Sequence, residues 1–192
     1  MVTNEELIDV AMGRKPCDLI LKNGKIVNVF SGEIHSGSIG IYRNKIVGIG
    51  NYDAKKEVDL KKRYICPGFF DGHVHIESSM ITPKEYAKAV VPKGTTSLVT
   101  DPHEIANVLG LEGIKYMLET SNRLPINNFL MLSSCVPATN LETSGASLSA
   151  FDLSLFLDSP NVLGLAEVMN YPGVVDKDPE VMAKISKAKN KR

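Results

Sequence analysis

Residues 67–79 read Pro67-Gly68-Phe69-Phe70-Asp71-Gly72-His73-Val74-His75-Ile76-Glu77-Ser78-Ser79, and the rhythm of the chain changes there. Phe69, Phe70 and Val74 form a short apolar strand. Thr82-Pro83-Lys84-Glu85 then opens a helix, with an N-cap threonine, a proline in the first turn and a glutamate placed to bond back. Thr95 to Thr100 is a second strand, and a helix follows from about Glu104 to Ser121, with Ile114, Met117 and Leu118 on its apolar face. Phe129 to Cys135 is a third strand, Ser149 to Leu157 a helix, and Val162 to Val168 a fourth strand. Asp178-Pro179 caps a last helix that ends in the basic tail Lys184 to Arg192. The order after residue 67 is therefore βαβαβαβα, which means a parallel sheet with crossover helices.

Parallel sheets carry their chemistry at the C-terminal ends of the strands, in a barrel or in an open sheet. His73 and His75 end the first strand, Asp101 and His103 the second, and Glu167 the fourth. Residues two apart on a strand point to the same face, so both imidazoles of His73-Val74-His75 can grip one cation. Taken alone, the pair also fits two solvated histidines on an edge strand. Its setting, after Pro-Gly-Phe-Phe-Asp-Gly and before Glu77, favours metal ligands. Glu167 directly follows the apolar run Leu163-Gly164-Leu165-Ala166. A carboxylate there is costly unless it is paired or holds a cation, and glutamate is a poor helix cap. Asp101, His103 and Glu104 are catalytic candidates. His103 faces the same mouth, and its residue type leaves acid, base and ligand roles open. Glu104 also fits a helix N-terminus.

The preceding segment has a different texture. Thr3 and Glu6 form a capping box ahead of a short amphipathic helix near residues 4–13, ended by Pro16. Leu19 to Lys22 and Lys25 to Phe30 flank Asn23-Gly24, a strong hairpin signal because both turn positions need positive φ. Ser31-Gly32 breaks the run. Ile39 and Ile41 start another strand, which turns at Arg43-Asn44 and returns through Lys45 to Ile49, and Val58 to Ile65 adds one more. The expected organisation is an N-terminal helix over 1–16, a small antiparallel β segment over 17–66 and the βα units over 67–192.

Composition narrows the partners. The 192 residues are 43% hydrophobic, enough for a buried core, and carry 22 basic and 22 acidic side chains. That balance argues against nucleic acid or an anionic membrane as the main partner. No stretch reaches the ~18–20 apolar residues of a membrane span, and the N-terminus has no apolar signal run, so a cytoplasmic location is expected. Cys17, Cys66 and Cys135 are too few and too widely spaced for a disulfide framework, and buried, reduced thiols are expected. Phosphate-binding glycine loops, a nucleophile elbow and the H-x-E with P-C-x-x-C zinc signature do not occur.

The run from Pro67 to Ser79 resembles the strand-one signature of the amidohydrolase superfamily. The blocks Gly94-Thr95-Thr96, Thr100 to Val108 (TDPHEIANV) and Ala166 to Asn170 (AEVMN) are similar to adenine deaminases in particular. The resemblance covers nearly the whole chain. It implies the first four βα units of a metal-dependent (β/α)8 barrel, preceded by a small β-sandwich segment. It also implies a binuclear centre of manganese or iron, with His73, His75 and Glu167 as ligands. Dihydroorotase-like relatives, which open cyclic amides, bridge their metals with a carboxylated lysine where this chain has Glu167.

The implied reaction is adenine plus water giving hypoxanthine plus ammonia, with hydroxide adding to purine C6. The family's further ligands come from later strands, as two histidines and an aspartate. This chain has four histidines, His35, His73, His75 and His103, none beyond 103, and His35 is expected in a surface loop. Four strands cannot close an eight-stranded barrel. The chain is therefore expected to be a truncated piece without activity of its own. Its expected partners are adenine and either further copies of the chain or a complementing C-terminal half. The other classes left open are a non-catalytic remnant and a metal-binding or interaction module.

Overall fold

The computed structural model describes residues 2–191 and divides into two compact units, Met1–Pro67 and Gly68–Arg192. Met1 and Arg192, the outer ends of the expected first and last segments, lie outside the described residues.

In the first unit, helix α1 (Asn4–Ala11) starts at Thr3 with a complete capping box. The Thr3 hydroxyl accepts from the Glu6 amide, and the Glu6 carboxylate accepts from the Thr3 amide. Strands β1 (Leu19–Asn28), β2 (Glu33–Tyr42), β3 (Lys45–Ile49), β4 (Glu57–Asp59) and β5 (Tyr64–Ile65) form one sheet in the order β3-β2-β1-β4, with β5 also on β1. β1–β2 and β2–β3 are antiparallel, but β4 and β5 run parallel to β1, so the sheet is mixed and not antiparallel throughout. Among the described residues this unit holds a single sheet and not a two-sheet sandwich. The expected strand Val58–Ile65 is split by Lys61 and Lys62, both at positive φ.

Asn23-Gly24 is a bulge, not a hairpin turn. β1 runs straight through it, with a register shift against β2 between Leu21 and Gly24. Asn23 does take the left-handed conformation (φ 56°) that the sequence demands. The neighbouring segment keeps the strand from folding back. Asn23 Nδ2 donates to Asp59 Oδ1 at 3.1 Å, and the Lys62 amide donates to the Asn23 carbonyl at 2.8 Å. His35 lies within β2, half-buried, and not in a loop. Of the three free thiols, Cys17 and Cys135 are buried, whereas Cys66 is exposed.

The second unit begins with β6 (Phe69–Val74) and α2 (Pro83–Val90), whose N-cap Thr82 accepts from the Glu85 amide. Strand β7 (Thr95–Thr100) leads into α3 (His103–Leu109) and α4 (Leu111–Ser121). Strand β8 (Asn127–Leu132) is followed by α5 (Ala150–Leu157), and β9 (Val162–Leu165) by α6 (Tyr171–Val175) and α7 (Pro179–Lys189). The four strands form a parallel sheet in sequence order, β6-β7-β8-β9. Leu98, Leu130, Leu132 and Val162 pack from the strands into one apolar cluster with Ile114 and Met117 of α4. Among the described residues no helix is long and apolar enough to cross a membrane.

Three boundaries differ from the sequence expectation. The single helix from Glu104 to Ser121 is broken at Gly110, whose φ 61° and ψ −136° no helix can hold and glycine tolerates. The third and fourth strands stop early, so Ser133, Ser134, Cys135 and Glu167 lie on loops beyond the ladder. Helix α6, capped by the Asn170 side chain, is additional.

Candidate metal centre

The C-terminal ends of β6, β7 and β9 bring five sequence-identified residues to one place. His75 Nδ1 lies 2.7 Å from the backbone carbonyl oxygen of Asp101. A carbonyl only accepts, so the proton sits on Nδ1 and Nε2 presents a lone pair. His73 Nε2 is 3.0 Å from that Nε2. The Glu167 Oε1 atom faces three imidazoles, at 3.7 Å from His73 Nε2, 3.6 Å from His75 Nε2 and 3.7 Å from His103 Nδ1. These separations are too long for hydrogen bonds. They suit atoms that each lie ~2 Å from a shared cation. One ligand atom each from His75, Asp101, His103 and Glu167 all fall within 4.8 Å of one another. The mixed imidazole and carboxylate donor set fits a divalent transition metal.

Asp101 is almost fully buried and spends both carboxylate oxygens on neighbours. Oδ1 accepts from the Ser133 hydroxyl at 2.8 Å, and Oδ2 accepts from His103 Nδ1 at 3.1 Å. Burial works against a charged His103, but the Asp101 bond and charge, with Glu104 and Glu167 nearby, outweigh it. The His103 pKa is therefore raised above 6.5.

Glu104 reaches the cluster with Oε2 at 3.7 Å from His75 Nδ1, and its other oxygen accepts from the Ser78 hydroxyl. Glu77, which the sequence reading left as context, lies beside it. Burial, with Glu104 adding to it, pushes the Glu77 carboxyl up to about 7. Glu104 goes the other way: burial raises it, but the Ser78 hydroxyl, Glu77 and the nearby imidazoles of His75 and His103 together outweigh burial.

The sequence reading gave strand three no role. The structure places Ser133 against Asp101, and Ser134 and Cys135 against the Glu167 backbone. The available signal was a polar Ser-Ser-Cys run directly after the apolar strand, at the mouth where the other polar residues gather.

The description of the amidohydrolase family matches residues 64–192. An adenine deaminase of Clostridium acetobutylicum is 56% identical over 184 residues, which is 96% of this chain and 32% of that protein. Adenine deaminase 2 of Carboxydothermus hydrogenoformans is 53% identical over 187 residues, 97% of this chain and 33% of that protein. The chain thus spans about a third of the length of these curated relatives. Among solved structures, the N-acyl-D-glutamate deacylase of Bordetella bronchiseptica, complexed with zinc and a phosphonate inhibitor, has a TM-score of 0.62 at 16% identity. That match covers 93% of this chain and 44% of the deacylase. A D-aminoacylase has a TM-score of 0.57 at 14% identity, over 90% and 44% of the two chains. These two likenesses concern the fold alone.

Proposed function

The chain belongs to the amidohydrolase family, and we propose that it supplies the N-terminal part of an adenine deaminase, a hydrolase converting adenine and water to hypoxanthine and ammonia. The observation that carries this reading is Glu167 Oε1 facing three imidazoles within 3.7 Å, in a chain 56% identical to an adenine deaminase. On this reading the sheet β6 to β9 is the first half of an eight-stranded barrel, and the preceding sheet is part of a small β domain. His73, His75 and Glu167 would hold the metal, manganese or iron, which would be binuclear in the complete enzyme.

The chemistry such a cation supplies is Lewis acidity, which makes water nucleophilic near neutral pH. The chain's own residues set the proton inventory. Asp101 orients His103 and favours its protonated form, as a general acid–base group requires. Burial and the neighbouring Glu104 favour the protonated form of Glu77, and Glu104 lies beside His75. Addition of the water oxygen at purine C6 and departure of ammonia require both water protons to move, one to ring N1 and one to the leaving nitrogen, and His103 and Glu104 are the chain's candidates for carrying them.

The test joins this chain to the remaining two-thirds of the Clostridium acetobutylicum relative and follows hypoxanthine by chromatography with manganese present. Expected is turnover in the usual enzyme range of ~1–1000 per second, with metal and activity both lost in Glu167→Gln. The 192-residue chain alone should give none. Opening of dihydroorotate with no hypoxanthine would overturn the reading.

A further inference from the structure

Glu167 is not held by the sheet. The last ladder bond on its side runs from the Ala166 amide to the Leu132 carbonyl at 2.8 Å, and residues 166–170 have no regular structure. Yet a carboxylate that must meet three imidazoles needs a fixed backbone. Two side chains of the loop after β8 provide it. The Ser134 hydroxyl and the Cys135 thiol both donate to the Glu167 carbonyl oxygen, the thiol at 3.0 Å. The same sulfur accepts the Met169 amide at 3.0 Å. Cys135 therefore clasps the chain on both sides of Val168, with the Ser134 hydroxyl also 2.9 Å from its sulfur, where either group can donate. It is 2% exposed. A third tether reaches the loop from behind, where Lys184 Nζ of α7 donates to the Ser134 carbonyl at 3.1 Å.

We propose that Cys135 is a positioning residue for the metal centre, acting through the Glu167 and Met169 backbone, with Ser134 as its partner. The inference rests on the reading of Glu167 as a metal ligand. Its competitor is a buried thiol that merely fills space, and the two make opposite demands on substitution. A space-filling thiol is better replaced by alanine than by serine, because a buried hydroxyl needs partners. A clasping thiol is better replaced by serine, which retains a donor and an acceptor.

Two measurements on the 192-residue chain decide. The first is hydrogen exchange of the Met169 amide without metal. It should be protected in the wild type and in Cys135→Ser and lose protection in Cys135→Ala. The second is Mn2+ affinity, read by the spin-resonance signal of free Mn2+ well below each variant's unfolding midpoint. Cys135→Ala and Ser134→Ala should bind about 10-fold more weakly, as when partners that orient a ligand are lost. Cys135→Ser should stay near wild type, and Glu167→Gln should lose more than either alanine variant. Wild-type affinity and protection in Cys135→Ala, with binding still lost in Glu167→Gln, would overturn the clasp and leave the metal reading intact. Wild-type affinity in Glu167→Gln, or no Mn2+ binding by the wild type, would overturn the metal reading and the clasp with it.

Discussion

His75 donates its Nδ1 proton to the backbone carbonyl of Asp101 across 2.7 Å, tying the end of β6 to the end of β7. No side-chain change at position 101 removes that acceptor. The Asp101 carboxylate is occupied separately, by His103 and Ser133. One residue thus orients two imidazoles by independent means, and a substitution there can separate them.

Asp101→Asn should lower the titration midpoint of His103 and leave His75 in its Nδ1–H tautomer, both read by nitrogen-resolved NMR of the metal-free chain. The sign follows from a folded pKa raised above 6.5. The stabilisation from charged His103 is fully present below 6.5 and is lost as pH rises through the raised value. The wild type's advantage over Asp101→Asn in thermal midpoint should shrink along the same path. An unmoved His103 midpoint would remove Asp101 as the cause.

Gly110→Ala tests the break between α3 and α4. At φ 61° and ψ −136° a side chain is strained, and the added carbon would also sit 3.3 Å from Ala146 Cβ. A loss of about 1–3 kcal/mol in denaturant unfolding is expected. If the helix were continuous, alanine would instead stabilise it.

Lys184→Met tests a buried ammonium. Burial lowers the Lys184 pKa below 10.5, against the opposing pull of Glu180, Asp178 and Asp152. Between the lowered value and 10.5 the unfolded chain binds more protons than the folded one, so this lysine's contribution to stability rises with pH. The wild-type thermal midpoint should climb relative to Lys184→Met as pH approaches 10.5. A difference that stays flat with pH would show that Lys184 titrates as it would in water.

Leu130→Ala probes the core beneath the site. Leu130 is 1% exposed and packs in the apolar cluster of the second unit. The variant should lose about 2–5 kcal/mol by chemical denaturation.

The parallel sheet was legible because four apolar runs alternate with capped helices, and Thr82, Ser149 and Asp178 cap where the sequence puts them. His73, His75, Asp101, His103 and Glu167 could be grouped because strand ends share one mouth. Asn23-Gly24 misled because local turn chemistry is identical in a bulge and a hairpin. Only Asp59 and Lys62, more than thirty residues away, decide between them. Ser133, Ser134 and Cys135 showed only as a polar run at the mouth, and Glu77 only as a neighbour of the histidine pair, and neither signal assigns a role. Their partners at Asp101, Glu167 and Glu104 lie on other segments of the chain, and residue type alone does not reveal them.

The ladder bond from Ala166 to Leu132 marks a seam. Below it, the backbone is secured by sheet hydrogen bonds that any sequence of suitable shape can make. Above it, the loops are secured by particular hydroxyl, thiol, carboxylate and imidazole groups. Substitutions above the seam can therefore change which cation or which proton donor the mouth offers while the sheet ladder stays in place. The same scaffold can be inherited intact while its chemistry is rewritten one loop at a time.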